Sequence, residues 1–152
     1  NAGITVSSLS AGGKGRFVTS NARITVENCV FGSLAAKTSN GPITLSGVTG
    51  GDCEAVSNNA RITAEHCRFA EKLWMQTSNG PVRAEDVEAP DLTFKTANAA
   101  ITGTVVGDMR EYAISSRTSN AQNNLPMDCA YEDQAKRLWA TTSNGRIDVR
   151  FV

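Results

Sequence analysis

Thr38-Ser39-Asn40-Gly41-Pro42-Ile43-Thr44-Leu45 returns 39 residues later as Thr77-Ser78-Asn79-Gly80-Pro81-Val82-Arg83-Ala84, and near the end as Thr142-Ser143-Asn144-Gly145-Arg146-Ile147-Asp148-Val149. Four further variants lie between and before these: Thr19-Ser20-Asn21-Ala22, Ser57-Asn58-Asn59-Ala60, Thr96-Ala97-Asn98-Ala99 and Thr118-Ser119-Asn120-Ala121. Asn1 opens the chain in the same register. The Asn-to-Asn steps are 20, 19, 19, 20, 19, 22 and 24 residues. A fixed period near 20 is the signature of a solenoid.

Counting outward from each Asn gives the strands. Three residues on stand Ile4, Ile24, Ile43, Ile62, Val82, Ile101 and, after a break at Asn123, Ile147. Five on stand Val6, Val26, Leu45, Ala64, Ala84, Gly103, Leu125 and Val149, with a mostly Thr column between. Apolar, polar, apolar is the pattern of a strand with one buried face. Six and four residues before each Asn the pattern recurs, as in Leu73-Trp74-Met75 and Leu92-Thr93-Phe94. A third inward column lies eight after the Asn and includes Cys29, Val48, Cys67, Val87, Val106 and Val152.

One rung cannot bury its own apolar face, but stacked rungs can. The expected fold is all-β: a right-handed parallel β-helix of about seven rungs, 19–20 residues each, and roughly 34 Å long at a strand spacing near 4.8 Å. In this reading Asn40 and Asn79 form a buried side-chain ladder, and Asn and Gly supply the positive φ of the corner. Early rungs alternate Asn-Ala with Asn-Gly. Beyond Asn98 the register loosens, which predicts loops around 107–112 and 123–136, with a helical turn near Glu132–Leu138.

The charge balance of 15 basic and 15 acidic residues supplies no basic surface for nucleic acid or an anionic membrane. No apolar run reaches the ~18 residues of a membrane span. The chain starts inside a repeat, so residues 1–152 read as one solenoid domain within a longer protein. Both solenoid ends need cover. The late loops can serve the carboxyl end, and the amino end calls for upstream rungs or for self-association.

The phrases at 38–45 and 142–149 resemble a bacterial adhesin family of unknown function, built from repeated Thr-x-Asn-Gly-x-Ile-x-Val rungs. The resemblance covers nearly the whole chain, except Asn120–Asp128, where the Ile is missing. It implies a right-handed β-solenoid acting outside the cytoplasm, at the cell surface or secreted, and brings no catalytic residues with it. Ile24-Thr25-Val26-Glu27-Asn28-Cys29-Val30-Phe31 is also similar to a coil of the pectate-lyase-like β-helices, a group rich in polysaccharide-cleaving enzymes.

Candidate chemistry is sparse, and no cofactor is implied. Cys29, Cys53 and Cys67 occupy apolar columns and read as buried free thiols. Two rungs put Cys29 and Cys67 about 10 Å apart, beyond the reach of a bridge. Glu27, Glu65 and Glu85 share one outward column, Arg23 and Arg61 another, and His66 is the only histidine. These six would form the acidic and basic patch of a carbohydrate-active enzyme. Trp74 and Trp139 share a column between inward residues and are expected to face out as a contact surface. Their partner is another protein, a covering segment or a cell-surface glycan. The function expected is a non-enzymatic, adhesin-like interaction module of the cell envelope, with a β-helix enzyme or glycan-binding domain as the alternative.

Overall fold

Alternating buried and solvent-facing residues on either side of each corner wind the chain into stacked parallel strands. The computed structural model describes residues 2–129 and 135–152 and is a β-solenoid. Ten strands come first: β1 (Ile4–Ser7), β2 (Ser10–Val18), β3 (Ile24–Glu27), β4 (Val30–Lys37), β5 (Ile43–Ser46), β6 (Thr49–Val56), β7 (Ile62–Glu65), β8 (Arg68–Gln76), β9 (Val82–Val87) and β10 (Asp91–Lys95). Next come β11 (Ile101–Val105), a 3₁₀ turn at Met109–Glu111, β12 (Tyr112–Arg117) and the short β13 (Asp128–Cys129). The chain closes with β14 (Lys136–Thr141) and β15 (Ile147–Phe151). No helix among the described residues is long and apolar enough to cross a membrane.

One sheet has the order β1-β3-β5-β7-β9-β11-β15, and the other β13-β12-β14-β10-β8-β6-β4-β2. About five turns follow one another in sequence, where the repeat count predicted seven. The sequence order then breaks. β14 lies against β10, β12 lies beyond β14, and β13 runs antiparallel on the outer edge of β12. The late rungs are therefore not stacked in the order in which the chain makes them.

The excursion covers the carboxyl end, as expected of the late loops. Tyr112, Ile114 and Leu125 are buried over the last turns. Asn124 treats β15 as an edge to be paired: its Oδ1 accepts from the Val149 N–H at 3.0 Å, and its Nδ2 donates to the Val149 carbonyl at 2.9 Å. Satisfying edge groups in this way removes a template for unwanted strand pairing. The predicted loop at 107–112 contains the 3₁₀ turn. Of the helical turn expected near Glu132–Leu138, the first three residues lie outside the described residues, and Lys136–Leu138 belong to β14.

The corner differs from expectation in two ways. The Asn ladder is present: Nδ2 of Asn40, Asn59, Asn79 and Asn98 donates to Oδ1 of Asn21, Asn40, Asn59 and Asn79 at 2.6 to 2.8 Å. Asn144 then donates to Asn98, and Asn120 to Asn144. These Asn residues are exposed, not buried. The buried corner group is the hydroxyl two residues earlier, at Thr38, Ser57, Thr77, Thr96 and Thr142. Each hydroxyl ties two rungs together, as Thr77 does by donating to the Ala60 carbonyl and accepting from the Gly80 N–H. The left-handed backbone sits at another corner, seven residues after the Asn, where Ser8, Asn28, His66 and Asp86 have φ of 51° to 54°.

Thr77→Val is therefore expected to cost about 1–3 kcal/mol, the penalty of stranding a buried carbonyl and N–H. Asn79→Ala should cost about 0.5–1.5 kcal/mol, because its exposed neighbours can turn to water. Equilibrium urea unfolding of the two variants measures both. Asn79→Ala proving the more damaging would mean that the amide ladder, not the hydroxyl column, holds the corner.

The core follows the predicted columns with two departures: Leu9, placed inward by counting eight from Asn1, is exposed in the first turn, and the register slips near the end. A register shift between Gly103 and Val105 sets Val105 opposite Val87, and Phe151 opposite Val105. Val105 is fully buried, whereas Val152, placed inward by counting, is exposed. Cys29, Cys53 and Cys67 are buried free thiols, as their columns implied, and Cys129 is free and half-buried. Burial pushes the Cys53 and Cys67 thiols up from their ordinary range, so both stay protonated.

Candidate functional site

Alternation on β8, β10 and β14 turns Trp74, Thr93 and Trp139 to the same outer face, and the register sets them side by side. The strand order makes this possible. Stacked in sequence, β8 and β14 would stand three strands apart, about 14 Å. With β14 seated on β10, the two Trp positions are two strands apart, about 10 Å.

Thr93 forms the floor between them. It faces outward yet is only 6% exposed, because bulky neighbours flank it on both sides. Trp139 is exposed and Trp74 half-buried, so the expectation that both face solvent holds more fully for Trp139. Each indole is anchored by its own strand. Trp74 Nε1 donates to Gln76 Oε1 at 3.2 Å, and Trp139 Nε1 to Thr141 Oγ1 at 2.7 Å. Both N–H edges thus point toward the same row of residues.

Lys95 belongs to that row and joins the two rings. Its Nζ lies 5.7 Å from the centroid of each indole, within the range of attraction between a cation and an aromatic face. On the other side of the indoles, register aligns Lys72, Asp91 and Arg137. None of Lys72, Lys95 and Arg137 forms an ion pair with a carboxylate among the described residues, whereas Lys37 pairs with Glu54 at 3.3 Å close by. Register also places carboxylates here: Asp91 lies between Lys72 and Arg137, Asp52 stands beside Lys72, and Glu54, held by Lys37, stands beside Trp74.

The acidic and basic candidates are not gathered into one site. Arg23, Glu27 and Arg61 line an open groove of about 670 Å³ on the outer face of the first sheet, with Thr25, Thr44 and Thr63 between. Glu65 and Glu85 are register partners on β7 and β9, but Arg83 Nε donates to Glu85 at 2.9 Å and ties it down. Glu27 is set apart from Glu65 by Ser46. His66 sits on the left-handed corner and pairs through Nδ1 with Asp86 Oδ2 at 2.7 Å. Asp86 also accepts from Arg68 at 3.1 Å, and Arg68 reaches Glu88 at 3.3 Å. The bonds from His66, then those from Arg68, hold the Asp86 carboxyl below its usual range. This is a surface ion network of half-exposed groups. No cluster of three or more His, Cys, Asp or Glu among the described residues could hold a metal ion.

Lys95 and Thr93 escaped the sequence reading, because their relation to Trp139 depends on the strand order. A signal for it existed. Along the ladder the residue after each Asn reads Ala22, Gly41, Ala60, Gly80, Ala99, Gly145, Ala121. A Cβ on Gly41, Gly80 or Gly145 would collide with the carbonyl oxygen of Ala22, Ala60 or Ala99. From Ala22 onward the alternation reflects that close approach, and over that stretch in sequence order it fails only at Ala99 and Ala121.

No family model, curated protein or solved structure matches the chain.

Proposed function

We propose that this protein is a non-enzymatic interaction module, adhesin-like in the sense of the family its rungs resemble, and displayed outside the cytoplasm at the cell envelope. The observation that carries this reading is the row Trp74, Thr93, Trp139 with Lys95 held between the indoles. An exposed aromatic pair on a rigid sheet presents contact area at little entropic cost. The two indoles are pre-positioned by hydrogen bonds to their own strands. The carboxylates, by contrast, are dispersed or bound to Arg, which favours a binding role over a polysaccharide-cleaving one.

The test is adhesion. Fluorescently labelled protein is incubated with intact bacterial and host cells, and bound label is counted by flow cytometry. Saturable binding is expected, reduced about tenfold or more by Trp139→Ala, as for loss of an interface anchor. Binding unaffected by Trp139→Ala, or absent from every surface, would remove the support for this reading. Cleavage of polysaccharide that is lost in Glu65→Gln would replace it with the enzymatic one.

A further inference from the structure

We infer that the surface of Trp74, Lys95 and Trp139 binds an anionic polysaccharide running along the solenoid axis. Pyranose rings would lie against the indoles, and a carboxylate or sulfate would lie on Lys95. The inference rests on the interaction-module reading and names its ligand class.

Three observations converge on this chemistry. The first is spacing. The indoles stand two strand intervals apart in a straight row across β8, β10 and β14. A sheet repeats along its stacking direction as a polymer does, and about 10 Å spans roughly two sugar rings. The C–H groups on a pyranose face carry slight positive charge and suit the negative face of an indole.

The second is charge. Lys95 is drawn to both rings and has no carboxylate partner among the described residues. A cation–aromatic contact at an exposed site is weak, so an incoming anion can recruit the ammonium without breaking a strong bond. Lys72 and Arg137 flank the indoles on the opposite side. Asp52 and Asp91 stand beside these two in register and offset them, so the preference for an anionic over a neutral chain rests on Lys95.

The third is the supply of hydrogen bonds. Gln76 Oε1 and Thr141 Oγ1 are occupied as acceptors by the indole N–H groups. The Gln76 amide N–H₂ and the Thr141 hydroxyl proton remain to donate outward. Sugar hydroxyls and ring oxygens accept such donors. A hydrophobic protein anchor would leave them unused and, once buried, penalised.

Intrinsic fluorescence reads this surface alone, since Trp74 and Trp139 are the only two tryptophans in the chain. The full 152-residue chain is titrated with alginate oligosaccharides for the carboxylate, dextran sulfate oligosaccharides for the sulfate, dextran as the neutral control and oligo-dT as a nucleic acid. A saturable change with alginate or dextran sulfate, at least about tenfold tighter than with dextran and weakening as salt rises, supports the inference. The stronger of the two identifies the anion. Lys95→Gln should lower that affinity about tenfold while keeping the residual response to neutral sugar. Circular dichroism confirms that the substitution leaves the fold intact.

No response to either anionic sugar, equal response to dextran, or tighter binding of oligo-dT overturns the inference. Cell adhesion that depends on Trp139 but is abolished by protease treatment of the cells, with no sugar response, overturns the ligand class and leaves the interaction module standing. Loss of adhesion together with a retained sugar response would strike the adhesive reading instead.

Discussion

Gly145→Ala is expected to destabilise the protein by about 2–3 kcal/mol, at the upper end of what overpacking costs. The added Cβ would press into the Ala99 carbonyl oxygen, with the Ala99 carbon and the Ala100 nitrogen close behind. All three are backbone atoms of the neighbouring rung, and a stacked rung cannot step aside without breaking its own ladder bonds. The Thr142 hydroxyl donates to Ala99 at 3.0 Å and accepts from the Gly145 N–H at 3.2 Å, so both corner bonds feel the displacement. Ala99→Gly removes a methyl and adds chain freedom, for less than about 1 kcal/mol. Urea denaturation of the pair measures the contrast. It also tests the strand order, because only with β14 seated on β10 does Gly145 face Ala99. A neutral Gly145→Ala would show that the last rung stacks elsewhere.

Tyr112→Ala should have the larger effect, about 3–5 kcal/mol for deletion of a fully buried aromatic ring. Tyr112 begins β12, the last parallel strand of its sheet, and is wholly buried. Its ring packs on Phe151 with centroids 5.3 Å apart, and Lys136 Nζ lies 5.4 Å from its centroid. Glu111 in turn holds Lys136 at 2.8 Å. The phenol donates to the Ala89 carbonyl at 3.4 Å. One side chain thus joins the capping strand to β15 and to the connection between β9 and β10. Tyr112→Phe keeps the ring and loses only that long hydrogen bond, so it should cost about 0.5–1.5 kcal/mol. Hydrogen exchange should localise the damage of Tyr112→Ala to the last turns, since each rung of a solenoid leans mainly on its neighbours. A Tyr112→Ala variant as stable as Tyr112→Phe would mean that the excursion does not seal the end.

Regularity decides how much of this molecule can be read from its residues. Where the period is 19 or 20, the columns at three and five after the Asn, and six and four before it, land in the core as counted from Ile24 to Ile101, while Ile4, Val6 and Phe17 of the first turn are half-buried. There the strand period, the corner and the register all derive from one local rule, so that counting is enough. Local rules did not place the corner polar groups. Thr77 and Asn79 are both polar, and which of them is buried depends on where the neighbouring rung's carbonyl lies. The slip at Gly103 is similar: a single irregular residue exchanges Val105 for Val106 and Phe151 for Val152, and side-chain pattern alone accommodates either choice.

The sequence by itself determined that this chain is a stack of parallel rungs, because a 20-residue unit with one apolar face is stable only against copies of itself. It determined the free, buried cysteines and the outward aspect of Trp139 by the same counting. Only the tertiary structure decided which rung stands next to which. Identical corners offer nearly equivalent stacking partners, so strand order turns on long-range fit: the Gly145 gap over Ala99, the burial of Tyr112, and the need to cover an open end. That choice brings Trp139 within two strands of Trp74 and sets Lys95 between them. The candidate site is therefore a consequence of the order of the stack and not of the repeat.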